Sequence, residues 1–234
     1  LTVDGAGGFA AVVIAAGDPV SGQERPSTDA SDYLEGENAD DDTRFANCAT
    51  DTCNDRVLGV ARDAVLTPVR ERVLGAVRDA LESFYETNSH YPYAAELGDS
   101  AGECVDGLNY GMLPLEDGNC DASMNGLEAW VEDNGWNEYL YYDVAETCDP
   151  DGAGCASGAP ALLKLENASD LAIVFGTTGT ALASQSRSGP VPHEVDQYLD
   201  SAENAETPPD GVYDDPPNGP GENDNLRAVA APES

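Results

Sequence analysis

Apolar residues recur at every fourth position between residues 67 and 88, which is the spacing that places them on one face of an α-helix. The residues that form this stripe are Val69, Val73, Val77 and Leu81. Thr67-Pro68 supplies a helix N-cap followed by proline at the first helical position. The pattern therefore predicts one amphipathic helix over residues 67–88.

Short apolar runs separated by turn residues surround this helix and predict strands. The predicted strands lie near 1–3, 9–15 and 56–61 before the helix, and at 136–144, 161–165, 170–176 and 225–230 after it. A short helix is also predicted at 127–132. A long helix followed by such strands predicts an α+β fold, in which the long amphipathic helix packs on an antiparallel β-sheet.

The sequence also repeats itself. LTVDGAGGFAAVVIAAG at 1–17 aligns without a gap with LKLENASDLAIVFGTTG at 163–179. The polar matches that continue this alignment, with short insertions, are Gln23 with Gln185, Arg25 with Arg187, Tyr33-Leu34-Glu35 with Tyr198-Leu199-Asp200, Glu37-Asn38 with Glu203-Asn204, and Asn54-Asp55 with Asn223-Asp224. Polar matches in the same order indicate a duplication.

The duplication predicts two repeats of unequal completeness. Residues 1–66 correspond to the C-terminal, β-rich part of a first repeat, which contributes extra strands. Residues 67–234 correspond to a complete second repeat with helix 67–88, loops and an antiparallel sheet. We expect a longer precursor with on the order of 100 further residues upstream, equivalent to 67–162.

The charge balance excludes some partners. The 234 residues contain 45 Asp and Glu against 10 Lys and Arg, a net charge of −35. Such a surface repels phosphate backbones and anionic lipids, so we expect no nucleic-acid partner and no polybasic membrane contact. The acidity is typical of a halophilic protein, because salt screens the repulsion between carboxylates. An ordinary acidic secreted protein is the alternative.

The cysteines form three pairs that are close in sequence. These pairs are Cys48 with Cys53, Cys104 with Cys120, and Cys148 with Cys155. They indicate short disulfides formed in an oxidising compartment, and hence an extracellular or cell-surface protein. Zinc is the rival explanation, but the sequence has no CxxC, and its histidines, His90 and His193, lie far from the cysteine pairs.

The sequence does not indicate an enzyme. It contains no Walker loop, GxGxxG, HExxH or GxSxG motif. Both His90 and His193 fall in predicted loops or turns, where a structural or exposed histidine is the simpler explanation. With 45 acidic residues, no glycosidase-type carboxylate pair can be chosen from spacing. We therefore expect neither catalytic nor cofactor-binding residues.

Calcium is the one ligand for which the sequence offers a site, because it prefers several carboxylate and carbonyl oxygens on a loop. The candidate ligands in EGENADDD at 35–42 are Glu35, Glu37, Asn38, Asp40 and Asp42. The CDPDGAGC segment at 148–155 offers two more aspartates. Neither segment has the complete EF-hand spacing, and a solvated acidic loop remains the alternative at 35–42.

Several motifs, taken in order, resemble those of type IV pilins and type II secretion pseudopilins. LESFYETNSHYPYAAEL at 81–97 resembles the exit from their long helix, and NGWNEYLYYDV at 134–144 resembles their first sheet strand. DLAIVFGTTG at 170–179, with Glu203-Asn204 after it, resembles the later strands and the loop that follows them. FAAVVIAAG and DYLEGENADDD repeat this tail in the first copy.

The resemblance implies a pilin-like head and a surface-filament subunit that acts by self-assembly and surface contact, as a homo-oligomer or with other pilin subunits. A non-polymerising minor pilin or pseudopilin, or a calcium-dependent surface adhesin, is the alternative. The apolar N-terminal stem helix that defines the family is absent from these 234 residues. We expect membrane contact only through such a stem.

Overall fold

The computed structural model describes most of the chain. The described residues are 1–40, 42–99, 101–116, 120, 127, 129–214 and 224–233. They belong to two compact units, unit 1 (Leu1–Glu71) and unit 2 (Arg72–Ser234).

Unit 1 contains two pairs of strands. Its strands are β1 (Thr2–Val3), β2 (Phe9–Ala15), β3 (Arg44–Phe45) and β4 (Arg56–Ala61). β1 pairs in parallel with β3, and β2 pairs antiparallel with β4. The strands predicted near 1–3, 9–15 and 56–61 are therefore present. The loop between β2 and β3 contains two 3₁₀ turns, Ala30–Asp32 and Gly36–Ala39.

A long helix, α1 (Arg62–Asn88), follows β4 directly. It ends at the predicted residue but begins five residues earlier, so Pro68 lies inside the helix and Thr67 is not its N-cap. The early start is compatible with the residues before Thr67, which include the good helix formers Ala64 and Leu66. The buried residues of α1 are Val73, Leu74, Val77, Ala80, Leu81 and Phe84.

Unit 2 is built around a six-stranded sheet. Its strands are β5 (Tyr110–Met112), β6 (Leu140–Val144), β7 (Leu163–Leu165), β8 (Ala168–Thr177), β9 (Val212–Tyr213) and β10 (Asn225–Ala230). The order is β5-β6-β8-β7-β9, and β10 pairs with β8 off this path. The short helix α2 (Ala129–Asp133) corresponds to the helix predicted at 127–132.

The central strand β8 has partners along both edges. β6 pairs antiparallel with its C-terminal half, and β7 pairs with its N-terminal half. β10 pairs antiparallel with β8 over its own full length. The seven residues from Leu171 to Thr177 are all buried, so β8 forms the core of the sheet.

The predicted α+β fold, with a long helix packed on an antiparallel sheet, is wrong. Most of the secondary-structure elements are strands, and the sheet curls into a half-barrel. Only 22% of the residues are helical. In the described part of the chain, α1 is the only helix of seven or more residues. Hydrophobic periodicity located the long helix, but the curl depends on strand twist and on pairing between distant segments, which a local pattern does not encode.

Three disulfides join Cys48 to Cys53, Cys104 to Cys120, and Cys148 to Cys155. They are consistent with an extracellular protein, because such bonds persist in oxidising compartments. Among the described residues, no helix is long and apolar enough to cross a membrane.

Equivalent strands of the two units pair in equivalent registers. Ile14 of β2 lies opposite Val57 of β4, and the aligned residue Gly176 of β8 lies opposite Leu226 of β10. The parallel pair β1–β3 likewise corresponds to β7–β9. The repeat seen in the sequence thus extends to the pairing of individual residues.

Candidate functional site

Arg25 organises the loop that follows β2 in unit 1. Its Nε atom donates to the carbonyl of Asp32 at 2.6 Å, and its two terminal nitrogens donate to the carbonyls of Gly17 at 2.5 Å and Tyr33 at 3.2 Å. The guanidinium carbon lies 5.0 Å from the centre of the Tyr33 ring, within range of a cation–π contact. Arg25 therefore connects the end of β2 to the 3₁₀ turn that precedes Tyr33.

Arg187, which the repeat aligns with Arg25, makes the three corresponding backbone hydrogen bonds in unit 2 and donates in addition to the carbonyl of Thr178 at 3.1 Å. Its Nε atom donates to the carbonyl of Gln197 at 2.8 Å, and its terminal nitrogens donate to those of Gly179 at 2.8 Å and Tyr198 at 3.4 Å. The guanidinium carbon lies 4.5 Å from the centre of the Tyr198 ring. Both arginines thus bind backbone carbonyls, which indicates a structural role.

Two acidic side chains, Glu35 and Asp55, lie close together in unit 1. Glu35 is 6% exposed and Asp55 is fully buried. The Glu35 carboxylate accepts hydrogen bonds from the Gln23 side chain at 2.8 Å and from the backbone N–H of Asn54 at 3.0 Å. It also lies 3.7 Å from Arg25, which supplies a compensating positive charge.

Asp55 is only partly satisfied. Its Oδ2 atom accepts hydrogen bonds from the backbone N–H of Glu35 at 3.0 Å and from the Asn38 side chain at 3.1 Å. Its Oδ1 atom is buried and accepts no hydrogen bond. Because an unpaired buried carboxylate oxygen is costly, a hydrogen-bond donor or a cation at Oδ1 would stabilise this arrangement.

Unit 2 repeats the acidic pair with Asp200 and Asp224. The Oδ2 atom of Asp224 accepts the backbone N–H of Asp200 at 2.7 Å, and its Oδ1 atom accepts no hydrogen bond. The Gln185 side chain donates to Asp200 at 3.0 Å. Burial and the nearby charge of Asp200 raise the pKa of Asp224 to about 8. Burial and the charge of Asp200 therefore favour the neutral form of this carboxyl group.

Asn38 and Asn204 occupy matching positions in the two loops. The Asn38 side chain donates to the carbonyl of Ala46 and accepts its N–H, at 2.9 and 2.8 Å. The Asn204 side chain makes the same two bonds with Asp214, at 2.9 and 2.7 Å. Each asparagine thus pairs with an extended segment as a strand would.

The structure separates the predicted calcium ligands into two groups. Glu35 and Asn38 are buried and hydrogen-bonded, whereas Glu37, Asp40 and Asp42 are exposed. Glu37 and Asp42 lie 3.6 and 3.0 Å from Arg44 at the surface. The five residues therefore do not share one environment, and a calcium site at 35–42 stays a prediction.

Asp55 is the buried acid that the calcium prediction omitted, although it lies beside Glu35. Carboxylate oxygens of Glu35 and Asp55 and the sulfurs of the Cys48–Cys53 disulfide lie within 4.8 Å of one another. Disulfide sulfurs lack the thiolate charge that binds metals, so only the two carboxylates are plausible ligands. The recurrence of Asp55 as Asp224 was the signal in the sequence that pointed to this residue.

A second buried polar cluster lies in unit 2 and was missed by the sequence analysis. The hydroxyls of Tyr141 and Tyr213 are 2.9 Å apart, and the Tyr213 hydroxyl donates to Asp143. Burial raises the pKa of Asp143 to about 7. Asp143 and Tyr110 line a cavity of about 360 Å³. The cluster forms hydrogen bonds inside the sheet, and the apolar runs in the sequence did not predict them.

The histidines are each engaged with a neighbour in unit 2. The Nδ1 atom of His90 lies 3.1 Å from the carbonyl oxygen of Tyr91. His193 stacks on Tyr198, with its Nδ1 atom 3.0 Å from the Tyr198 hydroxyl. These contacts favour the structural interpretation of both histidines.

The β2–β4 ribbon of unit 1 exposes apolar surface. Val13 and Leu58 lie directly opposite each other and are 58% and 65% exposed. Phe175, which the repeat aligns with Val13, is fully buried in unit 2. There β6 lies along the edge of β8, whereas in the described part of unit 1 the sheet formed by β2 has only β4 as a second strand. The uncovered edge of β2, and the apolar face that carries Val13 and Leu58, therefore distinguish unit 1 from unit 2.

No protein-family model, curated protein or solved structure matches the chain. The pilin resemblance therefore stays an expectation from the sequence motifs, and the function has to be argued from the geometry.

Proposed function

We propose that the protein is an extracellular structural subunit of a surface assembly, and that it contacts other subunits through the β2–β4 ribbon of unit 1. The observation that supports this proposal is the exposed cross-strand pair Val13 and Leu58. Removing such side chains from water stabilises a contact by about 1.5–3 kcal/mol each when they are fully buried. The proposal does not depend on a pilin-like head.

The composition of β2 supports an assembly role. Its sequence FAAVVIA contains no charged residue and no proline, although the whole chain has a net charge of −35. Exposed edge strands are usually protected by charges or proline against pairing with other chains. The lack of such protection on β2, in so acidic a protein, supports the proposal that another strand covers this edge.

Salt-dependent assembly tests the proposal. Repulsion between copies with a charge of −35 is screened as ionic strength rises, so we expect particle mass to increase with salt. V13D and L58D should abolish this increase, because each places a charge on the contact surface. V65D is the matched control, since Val65 is 43% exposed but lies outside the ribbon. Light scattering and electron microscopy would measure the assemblies.

Either of two results would overturn the proposal: a chain that stays monomeric at every salt concentration, or V13D and L58D variants that assemble like V65D. Circular dichroism of each variant would show whether the chain is still folded.

A calcium-dependent surface adhesin is the second candidate, favoured by the unpartnered Oδ1 atom of Asp55. If calcium binds there, it should raise the melting temperature of the chain, and D55N should remove this dependence. D51N, which changes an exposed aspartate between Cys48 and Cys53 that is not among the candidate ligands, should leave it intact. An equal response to calcium in D55N and the unaltered chain would eliminate this site.

A further inference from the structure

The curled sheet of unit 2 holds a carboxylate on its concave side. Asp143 lies in β6 and Tyr213 in β9, and the strands β8 and β7 lie between β6 and β9 in the sheet. In a flat sheet, strands three positions apart are separated by roughly 14 Å. The Tyr213 hydroxyl nevertheless donates to the Asp143 carboxylate. This bond crosses the face towards which the sheet curls, so the Asp143 side chain points into the half-barrel.

A cavity of about 360 Å³ lies beside Asp143. It is also lined by Tyr110 of β5, which pairs directly with Asp143, by Leu163 of β7, and by residues 208–211, which lead into β9. Strands from both sides of the curl therefore contribute to its wall. The volume falls in the range of small-molecule sites, and the mouth of a barrel is a common position for such a site.

The charged residues that line this cavity all have the same sign. Besides Asp143 they are Glu146 and Asp210, both of which are exposed. Among the described lining residues there is no lysine, arginine or histidine. Much of the remaining lining is apolar and consists of Leu108, Val144, Ala145, Leu162, Leu163, Pro208 and Pro209. The cavity therefore suits a positive group on an apolar body.

Asp143 lacks the compensation that the buried acid of unit 1 has. Glu35 is 6% exposed and has Arg25 at 3.7 Å, whereas Asp143 is 5% exposed and forms no ion pair within the described residues. The hydrogen bond from Tyr213 favours the charged form, but burial outweighs it and raises the pKa of Asp143 to about 7. A cation in the cavity would do for Asp143 what Arg25 does for Glu35.

We infer that this cavity binds a small organic ammonium ion, with the ammonium group on the Asp143 carboxylate and the apolar body against the leucine and proline side chains. An ammonium group supplies both the missing charge and up to three hydrogen-bond donors. Anionic ligands are disfavoured, because the lining carboxylates repel them. The site does not depend on the proposed assembly role of unit 1.

An NMR titration of the full chain with three ligands that carry the same ring tests the inference. The ligands are 2-phenylethylammonium, the neutral 2-phenylethanol and the anionic phenylacetate. The pH should be about 8, above the pKa of Asp143. About 0.5 M sodium chloride would screen the long-range attraction of a chain with a net charge of −35.

We expect the ammonium ion to bind with a dissociation constant of about 1 mM or lower. It should bind at least about tenfold more tightly than the alcohol, because a hydrogen bond to a charged group is the stronger one. Phenylacetate should bind most weakly. Nuclear Overhauser contacts between the ligand ring and Leu163 would place the bound ligand in the cavity.

Three variants separate the site from the charge of the whole chain. D143N should remove the preference for the ammonium ion, since the amide oxygen can still accept the Tyr213 hydroxyl but carries no charge. D214N is the matched control, because Asp214 is exposed and is not among the lining residues, and it should retain the preference. L162W should weaken binding by filling the cavity while Asp143 is unchanged, and circular dichroism would show that each variant is folded.

The inference would be overturned if the alcohol binds as tightly as the ammonium ion, or if no ammonium binding is detected at about 10 mM. An equal preference in D143N and the unaltered chain, or unchanged binding in L162W, would also contradict it. Tighter binding of Nα-acetyl-lysine amide than of 2-phenylethylammonium would overturn the assignment to a small molecule in favour of a lysine side chain.

Discussion

The β2–β4 ribbon of unit 1 and the β8–β10 ribbon of unit 2 have the same register but different surroundings. The strands pair at aligned positions, and Arg25 and Arg187 bind the loops that follow them in the same way. Yet Val13 is 58% exposed, whereas its counterpart Phe175 is fully buried. The difference shows that pairing and loop contacts are set locally, while burial depends on the segments that cover the ribbon.

The largest difference in stability should appear when Phe175 in the core and its aligned surface residue Val13 are each truncated to alanine. F175A removes a fully buried ring and should lower the free energy of unfolding by about 3–5 kcal/mol. V13A removes exposed atoms and should change it by less than about 0.5 kcal/mol. Urea denaturation monitored by circular dichroism would measure both. A loss of similar size in the two variants would show that Val13 is buried in solution.

The second test uses pH, because the pKa of Asp224 is raised to about 8 by burial and by Asp200. Between the ordinary pKa near 4 and this value, the folded chain retains a proton that the unfolded chain releases. Asp224 therefore stabilises unit 2 fully below that window, and its contribution is lost as pH rises towards 8. We expect a loss on the order of 2 kcal/mol between about pH 6 and pH 8.

D224N is the matched variant for this test. The amide oxygen can still accept the backbone N–H of Asp200, but the group no longer titrates. The variant should therefore show a flatter dependence of unfolding free energy on pH, with a remaining slope from Asp143, whose pKa is raised to about 7 by burial. A slope identical to that of the unaltered chain would contradict the assignment to Asp224.

A smaller effect should follow from replacing the two aligned arginines by lysine. R25K and R187K keep the positive charge but lose the planar group that binds several carbonyls at once. Each should cost about 1–2 kcal/mol, localised to its own unit. Hydrogen exchange of the loops after β2 and β8 would measure this. If hydrogen exchange of the loop increases in only one of the two variants, Arg25 and Arg187 do not contribute equally to the stability of their loops.

Local features of this fold were predictable from the sequence, whereas its long-range features were not. The strands near 9–15 and 225–230 follow from short apolar runs, and the repeat aligned Arg25 with Arg187 before their contacts were known. The predicted start of α1 was wrong, because proline is common at the first position of a helix whereas Pro68 lies inside α1. The curl of the sheet depends on the pairing of β8 with three strands from separate parts of the chain.

The candidate site shows the same limit. Glu35 was chosen from an acidic run, but its buried partner Asp55 lies 20 residues further along the chain. The exposed members of the run, such as Asp40, have the same composition without the same environment. Charge density therefore identified the segment, and only the fold distinguished its buried carboxylate from its surface ones.

The smallest effect concerns the hydroxyl of the aligned tyrosines. Both rings lie beneath a guanidinium, but the Tyr33 hydroxyl accepts the backbone N–H of Ser27 at 3.0 Å, whereas the Tyr198 hydroxyl lies 3.0 Å from His193. Y33F should cost about 1 kcal/mol and increase hydrogen exchange at Ser27. Y198F should instead change the NMR signals of the His193 ring. No change at Ser27 in Y33F, or none at His193 in Y198F, would contradict the hydroxyl contact concerned. Separate effects would show that the repeat retains the arginine–tyrosine contact while each unit has acquired its own partner for the hydroxyl.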